Sequence, residues 1–97
     1  MSPQQSAYFE RLYEAVLQIK TQDECRSFFE DICTINELIS ISQRLKVAEL
    51  LNEGRSFADI SAETGASTTT ISRVNRSYVY GSGGYNKIIE RLPREDN

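Results

Sequence analysis

The segment from Phe57 to Arg76, FADISAETGASTTTISRVNR, is the part of this 97-residue chain that most constrains its fold. Two short amphipathic stretches lie on either side of Gly65. Glycine adopts positive φ without a Cβ clash, so one helix can end there and another can begin after a tight turn. Four apolar positions have the spacing that packs two such helices together: Ile60, Ala66, Ile71 and Val74. This pattern predicts a helix-turn-helix.

The second helix of the motif has a polar outward face. Its members are hydroxyl and guanidinium side chains: Thr68, Thr69, Ser72, Arg73 and Arg76. These groups are the types that contact base edges and phosphates, whereas a purely structural helical hairpin more often carries paired Glu and Lys. The face therefore indicates binding to double-stranded DNA, with Thr68, Thr69 and Ser72 expected to face bases.

Phosphate contacts are expected from Arg55, Ser67 and Arg76. The net charge of −3 looks unfavourable for DNA, but it falls unevenly on three segments: −4 on residues 1–40, −1 on residues 41–64 and +2 on residues 65–97. The acidic N-terminal part should avoid DNA while the C-terminal part approaches it. The small number of cations predicts a modest non-specific affinity.

The residue types present argue against an enzyme. The chain has no histidine, and no nucleophile lies beside a base. Cys25 and Cys33 are eight residues apart among Phe28, Phe29 and Ile32. We therefore expect both thiols on the buried face of one helix, without the spacing of metal ligands. No metal or other cofactor is predicted.

The chain contains no run of about 18 apolar residues that could cross a membrane. Residues 1–20 form a charged amphipathic pattern rather than a secretory signal peptide. The predicted compartment is the cytoplasm.

Capping residues and apolar periodicity predict an all-α fold of six helices. The predicted first residues or caps are Ser2, Thr21, Thr34, Ser56, Ser67 and Tyr85. The sequence also indicates where five of these helices end: near Lys20, Glu53, Gly65, Tyr80 and Leu92. The GSGG segment at 81–84 follows a helix rather than a strand, so it is interpreted as a break between helices and not as a phosphate loop.

The first predicted helix carries an unusually wide apolar arc. It consists of two neighbouring stripes: Tyr8, Leu12, Ala15 and Ile19 in one, and Phe9, Tyr13, Val16 and Leu17 in the other. One reading places this helix deep in the core of its own chain. The reading that we favour is a dimer interface, because so small a chain cannot bury both stripes well.

With these residues in view, the chain resembles the Trp repressor superfamily, and within it the Trp-repressor-related YerC/YecD family. The resemblance runs from about Tyr8 to Leu92. It rests on three segments: SQRLKVAELLNEG (42–54), TGASTTTISRVNR (64–76) and YGSGGY (80–85). It implies a single six-helix domain that forms an intertwined homodimer. Within that domain the expected parts are a dimerisation core at 1–54 and 84–92, a helix-turn-helix reading head at 56–80, and a tail at 93–97.

The resemblance also implies a pocket for a small-molecule effector. Its residues would be Thr34, Arg44, Arg73 and Ser77. Each has a plainer explanation: Thr34 could cap a helix, Arg44 could pair with a carboxylate, Arg73 could contact phosphate and Ser77 could be solvated. The chain departs from the family pattern at Val74, which stands where the repressor has a glycine. Val74 would either crowd an indole ring or serve as a packing residue, so an effector other than tryptophan, or none, is favoured.

A second departure concerns the DNA. Ala58 and Ser61 stand where the repressor's first reading-head helix has basic residues, so a different operator is expected. The sequence thus predicts a sequence-specific DNA-binding transcriptional regulator that acts as a homodimer, with an effector of unknown identity. The alternative is a protein-interaction module that keeps the fold but does not bind DNA.

Overall fold

The structure, a computed structural model, describes residues 1–95, and this part of the chain forms six α-helices and no strand. Their bounds are α1 Pro3–Val16, α2 Gln22–Ile32, α3 Ile35–Asn52, α4 Phe57–Thr64, α5 Thr68–Tyr80 and α6 Gly84–Arg91. The predicted all-α, six-helix fold is confirmed. No helix among the described residues is long and apolar enough to cross a membrane. The last two residues of the predicted tail, Asp96 and Asn97, lie outside the described residues.

The chain divides into two compact units, one of residues 1–38 and one that begins at Ile39. The boundary lies within α3. The second unit contains most of α3 together with α4, α5 and α6. The division into a dimerisation core and a reading head stays a prediction.

Side-chain caps begin five of the helices as the sequence predicts. The hydroxyls of Ser2, Ser56 and Ser67 each accept a hydrogen bond from the backbone N–H three residues later. Thr34 and Glu37 form a reciprocal box: the Glu37 N–H donates to Thr34 Oγ1 (3.1 Å), and the Thr34 N–H donates to Glu37 Oε1 (2.8 Å). These bonds satisfy donors that a helix leaves unpaired in its first turn.

The first helix ends at Val16, so the predicted end near Lys20 was wrong. The N–H groups of Gln18 and Ile19 donate to carbonyls three residues back (3.0 and 3.1 Å). These bonds are of the tighter 3₁₀ type, so the α-helix does not continue there. The Lys20 N–H instead donates to Glu24 Oε1 at 3.0 Å. Because Lys20 already helps to cap α2, it cannot continue α1.

The second helix begins at its predicted cap, since the Thr21 hydroxyl accepts the Glu24 N–H at 3.1 Å. It ends at Ile32, and Cys33 has extended backbone angles (φ −108°, ψ 146°). The expectation that Cys25 and Cys33 share the buried face of one helix was therefore wrong. The chain leaves the helix there because Thr34 begins the cap of α3. Both cysteines are half-buried free thiols.

The core lies entirely in the second unit. Seven apolar side chains are buried: Val47, Ala48, Leu50, Ile60, Ala66, Ile71 and Val74. The first three belong to the C-terminal half of α3, and the other four are the predicted packing positions of the helix-turn-helix. This packing places α4 and α5 against α3.

The first unit buries none of its residues. Most residues of the two predicted apolar stripes are exposed, with only Ala15 and Ile19 half-buried, and Tyr8 retains 70% of its accessible surface. Leu17, directly after α1, retains 81%. A pair of helices with this much apolar surface in water lacks a core of its own.

Gly65 ends α4 in the left-handed conformation, at φ 73°. A Cβ at this position would meet no atom within 4 Å, so the cost of a side chain is conformational alone. We expect Gly65→Ala to lower the free energy of unfolding by about 1–2 kcal/mol. Chemical denaturation at one fixed protein concentration measures the change.

Gly84→Ala is the matched control for Gly65→Ala. Gly84 lies in α6 without positive φ, and an added Cβ would make only ordinary contact with Ser82 Oγ at 3.9 Å. Here alanine should raise the free energy of unfolding by about 0.4–1 kcal/mol, because it restricts the unfolded chain. Equal effects of the two substitutions would contradict the assigned backbone conformations.

The pKa of the Glu37 carboxyl is lowered from its ordinary value of 4.5, first by the Thr34 backbone N–H and then by the Thr34 side chain. A lowered pKa stabilises the folded state above the ordinary pKa, and this contribution is lost as the pH falls through the lowered value. Glu37→Gln keeps an acceptor oxygen but removes the charge. The variant should unfold more easily than the wild type at neutral pH, and urea titrations should show the difference vanishing in acid. A difference that persists below the lowered pKa would contradict this account.

Candidate nucleic-acid interface

The turn between α4 and α5 is built from a glycine and two hydroxyl side chains. The Gly65 N–H donates to the Ser61 carbonyl at 2.9 Å and closes the last turn of α4. Thr64 Oγ1 donates to the Ile60 carbonyl (2.7 Å) and accepts the Ala66 N–H (3.1 Å), while Ser61 Oγ donates to the Ala66 carbonyl (2.9 Å). The turn backbone is therefore held by local side chains as well as by the burial of Ala66.

Sequence reasoning missed Ser61 and Thr64 as turn residues. Ser and Thr in the last turn of a helix can bond to nearby backbone groups, and both lie within four residues of Gly65. That spacing was the available signal. The Ser61 hydroxyl is thus used by the turn.

The outward face of α5 is exposed as predicted. Ser67 caps the helix by accepting the Thr70 N–H at 3.1 Å. The five predicted contact residues of α5 are all exposed: Thr68, Thr69, Ser72, Arg73 and Arg76. At about 100° per residue they cover roughly 140° of the helix circumference, on the side opposite to Ile71 and Val74. One helix thus has an apolar face in the core and a polar face in solvent.

The charge on this face is positive and unbalanced. Between Glu63 and Glu90 the sequence contains no acidic residue and three basic ones, Arg73, Arg76 and Lys87. Within residues 1–95, Arg73 and Arg76 take part in no ion pair. Two guanidinium groups beside short hydroxyl side chains suit a phosphate backbone and the base edges next to it.

Arg55 has a different environment from the α5 arginines. Its Nη2 lies 3.3 Å from Glu63 Oε1, and its Nε lies 3.9 Å from Asp59 Oδ2. Two carboxylates of α4 thus offset its charge in the absence of DNA. A phosphate contact by Arg55 would compete with these pairs, and it stays a prediction.

The residues expected to bind an effector are only partly brought together. Arg44 and Ser77 line one groove of the second unit, with a volume of about 620 Å³. The rest of its lining is mainly apolar or glycine: Ile41, Leu45, Gly81, Ser82, Gly84, Tyr85 and Ile88. Arg73 lies one helical turn before Ser77 but does not line the groove. Thr34 belongs to the first unit, where it caps α3.

Val74 is buried in the core, with 4% of its surface exposed. Of the two readings of this residue, the structure supports the packing role. Among the described residues, no group of three or more His, Cys, Asp or Glu side chains could hold a metal ion.

A serine-capped helix, a left-handed glycine and a second capped helix with an exposed polar face define a helix-turn-helix protein. Comparison with known protein families identifies which kind of helix-turn-helix protein this is. The model of the family described as Trp repressor protein matches residues 7–93, and the chain belongs to this family. The resemblance found in the sequence is thereby confirmed.

Individual relatives agree with this assignment. The uncharacterized protein YerC of Bacillus subtilis (strain 168) is 47% identical over 83 residues, which cover 86% of this chain and 80% of YerC. A crystal structure of a candidate Trp repressor from Staphylococcus aureus has a TM-score of 0.86 at 45% identity. The match covers 94% of this chain and 91% of the Staphylococcus aureus chain. A TrpR-like protein from Eubacterium eligens ATCC 27750 has a TM-score of 0.83 at 53% identity, with 91% of each chain covered.

Proposed function

We propose that this protein is a sequence-specific DNA-binding transcriptional regulator that acts as a homodimer. The observation that carries the proposal is the outer face of α5, where exposed Thr, Ser and Arg side chains follow a rigid glycine turn and no acidic side chain interrupts them. Membership of the Trp repressor protein family supports it. The role is binding rather than catalysis, and its place of action is the cytoplasm.

The side chains divide by their chemistry. Thr68, Thr69 and Ser72 have short hydroxyl groups near the N-terminus of α5, the end that reads base edges in helix-turn-helix proteins. Arg76 is long and has no ion-pair partner within the described part of the chain, which suits a phosphate. The first backbone N–H groups of α5, beside the Ser67 cap, are further phosphate donors. Arg73 could serve either DNA or the effector.

A second copy of the chain is the partner that best explains the exposed α1. Its stripes would meet the same stripes of the other copy and remove them from water, as a self-complementary two-fold interface does. Two heads related by such an axis would enter successive major grooves about 34 Å apart. The proposed operator is therefore pseudo-palindromic.

An effector would bind in the groove that contains Arg44 and Ser77. Apolar side chains form much of its wall, and the Arg44 guanidinium supplies one fixed positive charge. This combination suits a small molecule with an apolar body and an anionic group.

The salt dependence of DNA binding tests the proposal directly. For the duplex upstream of its own gene, log K should fall linearly with log salt concentration, because phosphate contacts release counterions. Arg76→Ala removes one contact per protomer, so it should weaken binding and reduce the slope by about 2 in a dimer. Gel shift or fluorescence anisotropy at several salt concentrations measures both quantities.

Two arginine variants serve as controls for Arg76→Ala. Arg55→Ala should reduce the slope less, because Asp59 and Glu63 already offset that charge. Arg11→Ala should leave it unchanged, since its guanidinium lies on α1 in an exposed pair with Glu14 (3.0 Å). A folded protein that binds no duplex at low salt would contradict the proposal, and a protein-interaction module would then be the better explanation of the fold.

The dimer is tested by placing a charge on α1. Tyr13 is 55% exposed within its own chain, so a change there has little effect on the packing of a single copy. Tyr13→Glu should convert a dimer to a monomer in sedimentation-equilibrium measurements, because a carboxylate in an apolar interface is costly. Gln4→Glu, also on α1 but at a polar position, should stay dimeric. A wild-type protein that sediments as a monomer would contradict the proposed assembly.

A further inference from the structure

One hydrogen bond joins α3 to the turn of the helix-turn-helix. The side-chain Nε2 of Gln43 donates to the backbone carbonyl of Thr64 at 3.2 Å. Both residues are half-buried and both belong to the second unit. Within residues 1–95, no other side-chain hydrogen bond from α3 reaches the turn between α4 and α5.

The acceptor explains why this bond matters. Thr64 is the last residue of α4, and the last carbonyls of a helix have no partner within it. The neighbouring groups are satisfied locally, because Ser61 and Thr64 bond to the turn backbone. Gln43 supplies the donor for the Thr64 carbonyl from a different helix. It therefore caps α4 and ties the turn to α3 at the same time.

The position of the bond links it to DNA reading. Only Gly65 and Ala66 separate Thr64 from Ser67, the cap of α5. A shift of the turn against α3 would move the Thr68 and Thr69 side chains with it. Recognition side chains need support that holds them to within a fraction of an ångström. We propose that Gln43 is a positioning residue that fixes the base-reading end of α5, an inference that rests on the proposed function.

A second hydrogen bond provides an internal comparison. The Tyr78 hydroxyl donates to Asn52 Oδ1 at 2.9 Å, so it ties α3 to α5. It lies near the opposite end of the helix, about 15 Å along α5 from Thr68. Loss of this bond should affect stability without greatly moving the base-reading end. Comparing the loss of each bond therefore distinguishes an effect on the position of α5 from an effect on stability.

The test compares Gln43→Met with Tyr78→Phe. Each substitution keeps the approximate size of the side chain and removes its role in the hydrogen bond. The quantity to measure is the ratio of affinities for a selected operator and a scrambled duplex, at a temperature where denaturation shows each variant folded. Gln43→Met should lower this ratio about five- to tenfold, and Tyr78→Phe by less than about twofold.

Ser42→Ala is a matched control on α3, because among residues 1–95 the Ser42 hydroxyl bonds only to the Ile39 carbonyl of its own helix (3.0 Å). It should leave the ratio unchanged. If Gln43→Met does not fold, Gln43→Leu gives the same comparison, since it is also neutral and lacks the donor. An unchanged ratio in the Gln43 variant, or an equal loss in Tyr78→Phe, would overturn this inference while leaving the proposed function intact. A wild type that discriminates between no duplexes would overturn both.

Discussion

Burial of the inner faces of α4 and α5 against α3 is the interaction on which the second unit depends. Ile60, Ile71 and Val74 pack with the α3 residues Val47 and Leu50 in one cluster. Each large apolar side chain in such a cluster contributes about 1.5–3 kcal/mol. Because α5 uses one face for this packing, its opposite face can hold polar side chains at little cost in stability. The same contact that stabilises the unit thus orients the candidate DNA-reading surface.

Electrostatics then distinguishes the two helices of the motif. On α4, Asp59 and Glu63 offset the charge of Arg55, whereas on α5 the charges of Arg73 and Arg76 have no partner among residues 1–95. Positive potential is therefore concentrated on α5 although the whole chain is acidic. With few cations, tight binding would depend on base contacts and on two heads acting together. This explains how a chain of net charge −3 can be a specific DNA binder with weak non-specific affinity.

Features set by nearby residues could be predicted from the sequence. The Ser67 cap and the Gly65 turn follow from bonds within a few residues, and the four packing positions follow from helical periodicity. Features set by distant residues could not. The Gln43–Thr64 bond, for example, spans 21 positions. The end of α1 is a local feature that was nevertheless predicted wrongly, because no glycine or proline marks it and the Lys20–Glu24 bond decides it.

The central claim is that two copies of α5 read bases in a two-fold arrangement. Selection of bound duplexes from a random pool, followed by sequencing, tests it most directly. The account predicts an enriched pseudo-palindrome whose half-sites lie about one helical turn, or 10 to 10.5 base pairs, apart. It also predicts that changing Thr68, Thr69 or Ser72 alters the preferred bases within each half-site. Recovery of sequences with no common half-site from a folded wild-type protein would contradict it.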